Sequence, residues 1–212
     1  MSKKDTIQNP IIKLYKSTDL YNIDDVLYAL RQKWLRGSIN LSGHKVRNGE
    51  EYIELRNISF IANKDFIIDA PEYHELVSQQ WYVDNYEPKS MWQIPKVLDI
   101  LAKNPDSRHA IISLYCPDDE LGKDDMICTM YISLRLDELP ENCAVLTYTV
   151  HMRSSDIREY RSDIRFHKRV RHSLSLALSE LLKRPVIEGN IIWYADSLQC
   201  WDKDWKYLGN SI

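Results

Sequence analysis

MICTMYISLRL-DELPENCA-VLTYTVHMRSSD, residues 126–156, is the stretch on which the reading of this chain turns. In its first part Cys128, Met130, Ile132, Leu134 and Leu136 fall on one face by period-two alternation, which predicts a strand. In its last part Leu146, Tyr148, Val150 and Met152 do the same. Between them, Asp137–Ala144 holds Pro140, Glu141 and Asn142, residues that suit a hairpin loop. A hairpin brings Cys128, near the start of one strand, to the same edge as Arg153-Ser154-Ser155-Asp156, which ends the other. A soft nucleophile and an anion-binding cluster then come within reach of one small ligand.

The rest of the composition frames that reading. With 212 residues and 44% hydrophobic content, the chain can bury one sizeable core. The expectation is a single domain over 1–212, with 1–20 as a loosely ordered arm. A net charge of -3 and a pI near 6.1 do not mark a nucleic-acid binder. The four cysteines (Cys116, Cys128, Cys143, Cys200) show no CxxC pair and no zinc spacing. With no apolar leader, free thiols in a cytoplasmic protein without a metal are expected. No apolar run approaches the roughly 18 residues of a membrane span, so no membrane partner is expected.

Upstream, Ile23, Val26, Leu27, Leu30 and Trp34 recur at helical spacing, predicting a helix over Asn22–Leu35 with Gly37 as its stop. Ile39–Ile61 reads as extended chain folded about the turn dipeptide Asn48-Gly49. Two more helices are expected over Pro71–Asp84 and Trp92–Lys103, the second ended by Asn104-Pro105-Asp106. Ala110–Cys116 is nearly continuous in apolar residues and reads as a buried central strand. After Asp156 comes a charged connection, then the strongest helical pattern, Phe166–Lys183. Phe166, Val170, Leu174, Leu178 and Leu181 line one face of it; Leu176, Ala177 and Leu182 widen that face. Arg165, Lys168, Arg169 and Arg171 place positive charge at its start, against the macrodipole. Solvated charge is the ordinary reason for that, and a nearby anion the functional one. Ile191–Tyr194 predicts a last strand and Asp196–Trp205 a loop or short helix. The order implies an α+β fold, a mixed or mostly antiparallel sheet packed on one long buried helix.

These residues resemble the thymidylate synthase family. Trp92–Ser113 (WQIPKVLDILAKNPDSRHAIIS) looks like its helix, NPxSRR segment and following strand. Cys128 follows at the right distance for the family's catalytic cysteine, and Arg153–Asp156 is similar to its RSxD segment. Ser197–Trp201, with Asp204 and Trp205, resembles the late SxHxY segment of short members; Glu54-Leu55-Arg56-Asn57 resembles their amino-terminal part. The sequence departs from the pattern in several places. Ile127-Cys128-Thr129 stands for Pro-Cys-His or Pro-Cys-Leu, His109 for the second arginine, and Gln199 and Trp201 for the late His and Tyr. Asp163 stands one position early for the base-reading Asn, which is Asp in the deoxycytidylate hydroxymethylase branch. The chain also ends soon after Trp205, without the segment that closes over folate in long members.

The resemblance implies the family's fold, with two sheets stacked in a homodimer, and one-carbon transfer to C5 of a pyrimidine deoxynucleoside monophosphate. The donor would be 5,10-methylene-tetrahydrofolate or a related tetrahydropterin. C5 is a poor nucleophile until a thiolate adds at C6, the role implied for Cys128. A free thiol titrates near pH ~8.5, so a neighbouring cation such as Arg153 would help. The bland alternative is a core cysteine. Arg153 and Ser154 would hold the phosphate, with Arg108 arriving from the other subunit; as plain structure they are a strand end and a loop charge. Asp156 would address the pterin; otherwise it is an exposed loop acid. Asp163 would address the base; otherwise it caps the long helix. Gln199 and Trp201 would meet the sugar, although Trp offers one donor and no acceptor. Tyr82 or Tyr86 would relay protons, and spacing does not choose between them. Methylation of dUMP is the default. Hydroxymethylation of dCMP, resting on Asp163, is the alternative, and a catalytically degenerate nucleotide- or partner-binding homologue is the rival of another class.

Overall fold

A computed structural model describes residues 21–22, 45–47, 49–62, 72–122, 126–156 and 160–201. The expected arm, the expected helix beyond Asn22, Gly37, Asp204 and Trp205 lie outside them.

Among the described residues the sheet has eight strands: β1 (Tyr21–Asn22), β2 (Lys45–Arg47), β3 (Glu50–Ala62), β4 (Ile111–Ser113), β5 (Thr129–Leu139), β6 (Cys143–Met152), β7 (Ser155–Asp156) and β8 (Val186–Trp201). The main path runs β1-β3-β8-β6-β5-β4, with β2 on β3 and β7 on β8. β6 and β8 pair in parallel, whereas β3–β8 and β5–β6 are antiparallel, so the sheet is mixed. Among the described residues the helices are α1 (Glu72–Ser90), α2 (Ile94–Lys103), the short α3 (Pro117–Glu120) and α4 (Tyr160–Leu182). α4 packs on β8 and β6, and α1 and α2 pack beside it against the β4 end.

The β5–β6 hairpin forms as expected, but its loop is tighter than Asp137–Ala144. Only Pro140–Asn142 turn, with Glu141 at φ 67° and Asn142 at φ 56°. Ladder hydrogen bonds extend each strand to the turn, and Leu139 pairs with Cys143. Ile132, Leu134 and Leu136 face the core with Leu146, Tyr148, Val150 and Met152. Cys128 does not share that face. The register shifts between Thr129 and Tyr131, a bulge that ends the alternation. Thr129 is the residue turned inward, fully buried, and Cys128 lies half-buried just before the strand.

Four other expectations are corrected. Ala110–Cys116 is not a central strand; β4 spans three residues at the sheet edge and pairs with β5, with Ile112 buried and Ile111 exposed. Apolar density there comes from the α2 contact: Val97 and Leu101 are buried, and Gln93 exchanges two side-chain amide bonds with Ser113. The last strand is not Ile191–Tyr194, nor is Asp196–Trp201 a loop, since β8 runs unbroken for 16 residues between β3, β6 and β7. α4 begins at Tyr160, absorbing part of the expected charged connection. Its first turn therefore carries Asp163, and Arg165 to Arg171 lie beyond that turn, where the macrodipole acts less. Asp163 is inside the helix, not its N-cap. Finally, Leu176 and Leu181 are exposed, so the buried stripe of α4 is narrower than the eight apolar positions implied. Leu174 and Leu178 anchor it, each contributing about 1.5–3 kcal/mol by burial.

Asn57, at φ 51°, marks a kink in β3. Before it Ile53 is fully buried; after it Phe60 is, so inward positions change from odd to even. β8 changes phase opposite, from Trp193 and Ala195 to Leu198 and Cys200. The kink turns that end of the sheet and exposes a new set of side chains beside β7.

Candidate active site

The site is built at the end of the hairpin away from its turn. The Arg153 N–H donates to the Cys128 carbonyl at 2.8 Å, tying the two strand ends together. Cys128 Sγ lies 3.4 Å from Ser154 Oγ and 3.9 Å from Arg153 Nη2, which also donates to the Met126 carbonyl at 3.2 Å. Arg153 Nε is buried with no hydrogen-bond partner among the described residues. Thiol, hydroxyl and guanidinium thus form one cluster, as the hairpin predicted. Ser154, expected on a phosphate, stands against the sulfur.

β7 carries the cluster onto β8. Ser155 pairs with Leu198 and Asp156 with Gln199. Alternation puts Ser154 and Asp156 on one side and buried Ser155 on the other. Gln199 pairs on its other flank with Glu54, Ser197 with Arg56, and Trp201 with Tyr52. Gln199 Nε2 donates to Ser197 Oγ at 2.9 Å, and Ser197 Oγ donates to Glu54 Oε1 at 2.7 Å. Arg56 Nε closes the strip on Glu54 Oε2 at 2.8 Å. The Trp201 ring packs on Tyr52 at 4.9 Å.

Residues that the sequence did not mark support the thiol from behind. The Ile127 N–H donates to Glu120 Oε2 at 3.0 Å, and Lys89 ion-pairs with the other oxygen of this buried carboxylate. Thr129 N–H donates to Tyr86 Oη at 3.4 Å, and the Tyr86 hydroxyl donates to Thr129 Oγ1 at 2.8 Å. Burial holds the Tyr86 phenol protonated well past the ordinary range. Tyr86 is therefore the tyrosine beside the thiol, while Tyr82 stacks on Phe166 at 4.5 Å. Glu120 sits in an acidic run that reads as solvated surface; no spacing rule would have singled it out.

Two expected site residues do not join the cluster. Arg108 is exposed in the α2–β4 loop. Two residues on, the Ala110 carbonyl meets Leu134 N–H, six strand residues from Cys128, which is roughly 20 Å at ~3.3 Å per residue. Asp163 is buried in the first turn of α4, and among the described residues no hydrogen bond or ion pair joins it to Cys128. Burial alone pushes its carboxyl up to about 8. One helical turn on, His167 Nδ1 meets the Tyr148 hydroxyl at 2.9 Å, and burial pushes the imidazole down to about 3. A cavity of about 450 Å³, walled by Tyr86, Met91, Ile112, Ile132, Phe166 and Leu174, includes Tyr86 but no other expected site residue.

No family model and no curated protein sequence matches the chain. Among solved structures it is similar to the thermostable thymidylate synthase A from Bacillus subtilis, with 12% identity and a TM-score of 0.57. That match covers 86% of this chain and 82% of the other. The fold is therefore thymidylate-synthase-like: α+β, with a mixed sheet against a long helix.

Proposed function

We propose that this chain is a thymidylate-synthase-type enzyme that transfers a one-carbon unit to C5 of a pyrimidine deoxynucleoside monophosphate. The observation that carries the reading is the position of Cys128 Sγ, 3.4 Å from Ser154 Oγ and 3.9 Å from Arg153 Nη2, at the edge where Asp156 and Gln199 meet. The sulfur attacks C6, and the electron pair displaced from the C5–C6 bond makes C5 the nucleophile. Arg153, with a buried Nε that lacks an acceptor among the described residues, binds the phosphate. Tyr86 and Thr129 hold the peptide next to the thiol in place.

A reduced pterin supplies the activated one-carbon unit when bound. The residues present fit such a group. Asp156 stands on the same side of β7 as Ser154, so a carboxylate for pterin N–H donors lies beside the thiol. 5,10-Methylene-tetrahydrofolate is the default donor.

dUMP stays the default substrate over dCMP, because the case for dCMP rested on a charged Asp163. A carboxylate at Asp163 would prefer the cytosine amino group. Its burial keeps it protonated at neutral pH, and a neutral carboxyl donates equally well to uracil O4. Arg108 would serve the phosphate of a second subunit; its exposure in the α2–β4 loop, remote from Cys128 of its own chain, is compatible with that role. The sheet face away from the helices suits that pairing. Tyr131, His151 and Tyr194 stack across it at 4.0 and 4.9 Å, and Ile111 and Tyr194 are exposed.

Incubation with 5-fluoro-dUMP and methylene-tetrahydrofolate should give a covalent adduct on Cys128, read by mass, that Cys128→Ser does not form. Tight nucleotide binding without an adduct would instead identify a degenerate nucleotide-binding homologue.

A further inference from the structure

The polar strip beside the thiol has a direction. Glu54 is nearly buried and, paired with Arg56, is a carboxylate that can only accept. The Ser197 hydroxyl, 2.7 Å away, must therefore donate its single proton to Glu54 Oε1. Its lone pairs are what remain for Gln199, so the Gln199 amide must present its NH2 to Ser197, at 2.9 Å. The other end of that amide, the carbonyl Oε1, is then the end left for a ligand. An amide by itself can turn either way, with donor or acceptor outward. Here an acceptor-only group two hydrogen bonds away removes one choice. The register places this amide opposite Asp156, two residues from the Ser154 that touches Cys128.

We propose that Glu54 is a positioning residue that, through Ser197, locks Gln199 as a hydrogen-bond acceptor, so that the site selects a ligand whose sugar hydroxyl donates. This rests on the nucleotide reading above. A deoxynucleoside 5′-monophosphate has one such group, its 3′-hydroxyl. Replacing that hydroxyl by fluorine keeps the size and removes the donor. A buried acceptor left unpaired costs about 1–3 kcal/mol, or roughly five- to 150-fold in affinity.

The test is calorimetric titration of the full chain with dUMP and with its 3′-fluoro-3′-deoxy analogue. The wild type should prefer dUMP by about tenfold or more. Ser197→Ala releases the amide, and Glu54→Gln lets the chain of donors reverse, so each should reduce the ratio to within about threefold. Inorganic phosphate should bind all three proteins alike, which a general loss of structure would not allow. If Glu54→Gln fails to fold, Ser197→Ala alone decides. An unchanged ratio in the variants, or a wild type that binds both nucleotides equally, overturns the proposal while leaving the proposed function standing. A wild type that binds neither nucleotide overturns both.

Discussion

The strip around Cys128 and the pair under α4 handle buried polar groups in opposite ways. In the strip, Glu54 is nearly buried but meets Ser197 and Arg56, and its neighbours Gln199 and Asp156 are only half-buried. Under α4, Asp163 and His167 stand one turn apart in the core. His167 Nε2 has no partner among the described residues, and burial drives both groups toward neutrality. An acid held charged by partners can bind and orient. An acid held neutral by its surroundings mainly makes the fold sensitive to pH. Asp156 and Asp163 are seven residues apart; the first is half-buried in β7 beside Gln199 and the second is buried in α4, a difference the sequence does not signal.

The largest expected effect tests the core pair. An acid with a raised folded pKa contributes all its stability below its unfolded value, near 3.8, and loses it as pH rises to about 8. The loss runs at about 1.4 kcal/mol per pH unit. His167 has the opposite flank: its contribution is complete above 6.5 and is lost as pH falls toward 3. Urea denaturation from pH 4 to 8 should show Asp163→Asn gaining on the wild type throughout, by several kcal/mol at pH 8. Parallel curves for the two proteins would mean that Asp163 is solvated and belongs with the strip.

Next is Arg153→Ala, which removes a charged fork from the strip and should weaken nucleotide binding by roughly 2–4 kcal/mol. Its folding stability should hold, since Arg153 has one side-chain bond to a carbonyl and one long contact to sulfur. Affinity within threefold of wild type would reduce Arg153 to a strand-end charge. Tyr148→Phe should then cost about 1–3 kcal/mol of stability by leaving His167 Nδ1 buried without a partner, with nucleotide affinity unchanged. A loss of affinity instead would join core pair and strip into one site. The smallest effect is on the surface. Glu138, its carboxyl held below the usual range by hydrogen bonds from Arg184, remains half exposed. Glu138→Gln should change stability by about 0–1 kcal/mol in thermal melts.

Period-two alternation, a turn-forming Pro-Glu-Asn and helical spacing are local properties, so the hairpin, both middle helices and the buried stripe of α4 were legible in the chain. So was the meeting of Cys128 with Arg153 and Ser154, because a hairpin leaves its two ends no choice but to adjoin. Three features needed the tertiary structure. The bulge at Thr129 and the kink at Asn57 change which side chains face inward, and alternation cannot signal a shift in its own phase. β8 is one long strand because β3, β6 and β7 all hydrogen-bond to it, partners as far apart in sequence as Tyr52 and Trp201, 149 residues. The charge state of Asp163 follows from what surrounds it after folding. Sequence determines which groups the chain carries and how each segment prefers to run; only packing decides which of them keep water or a partner, and that balance sets their chemistry.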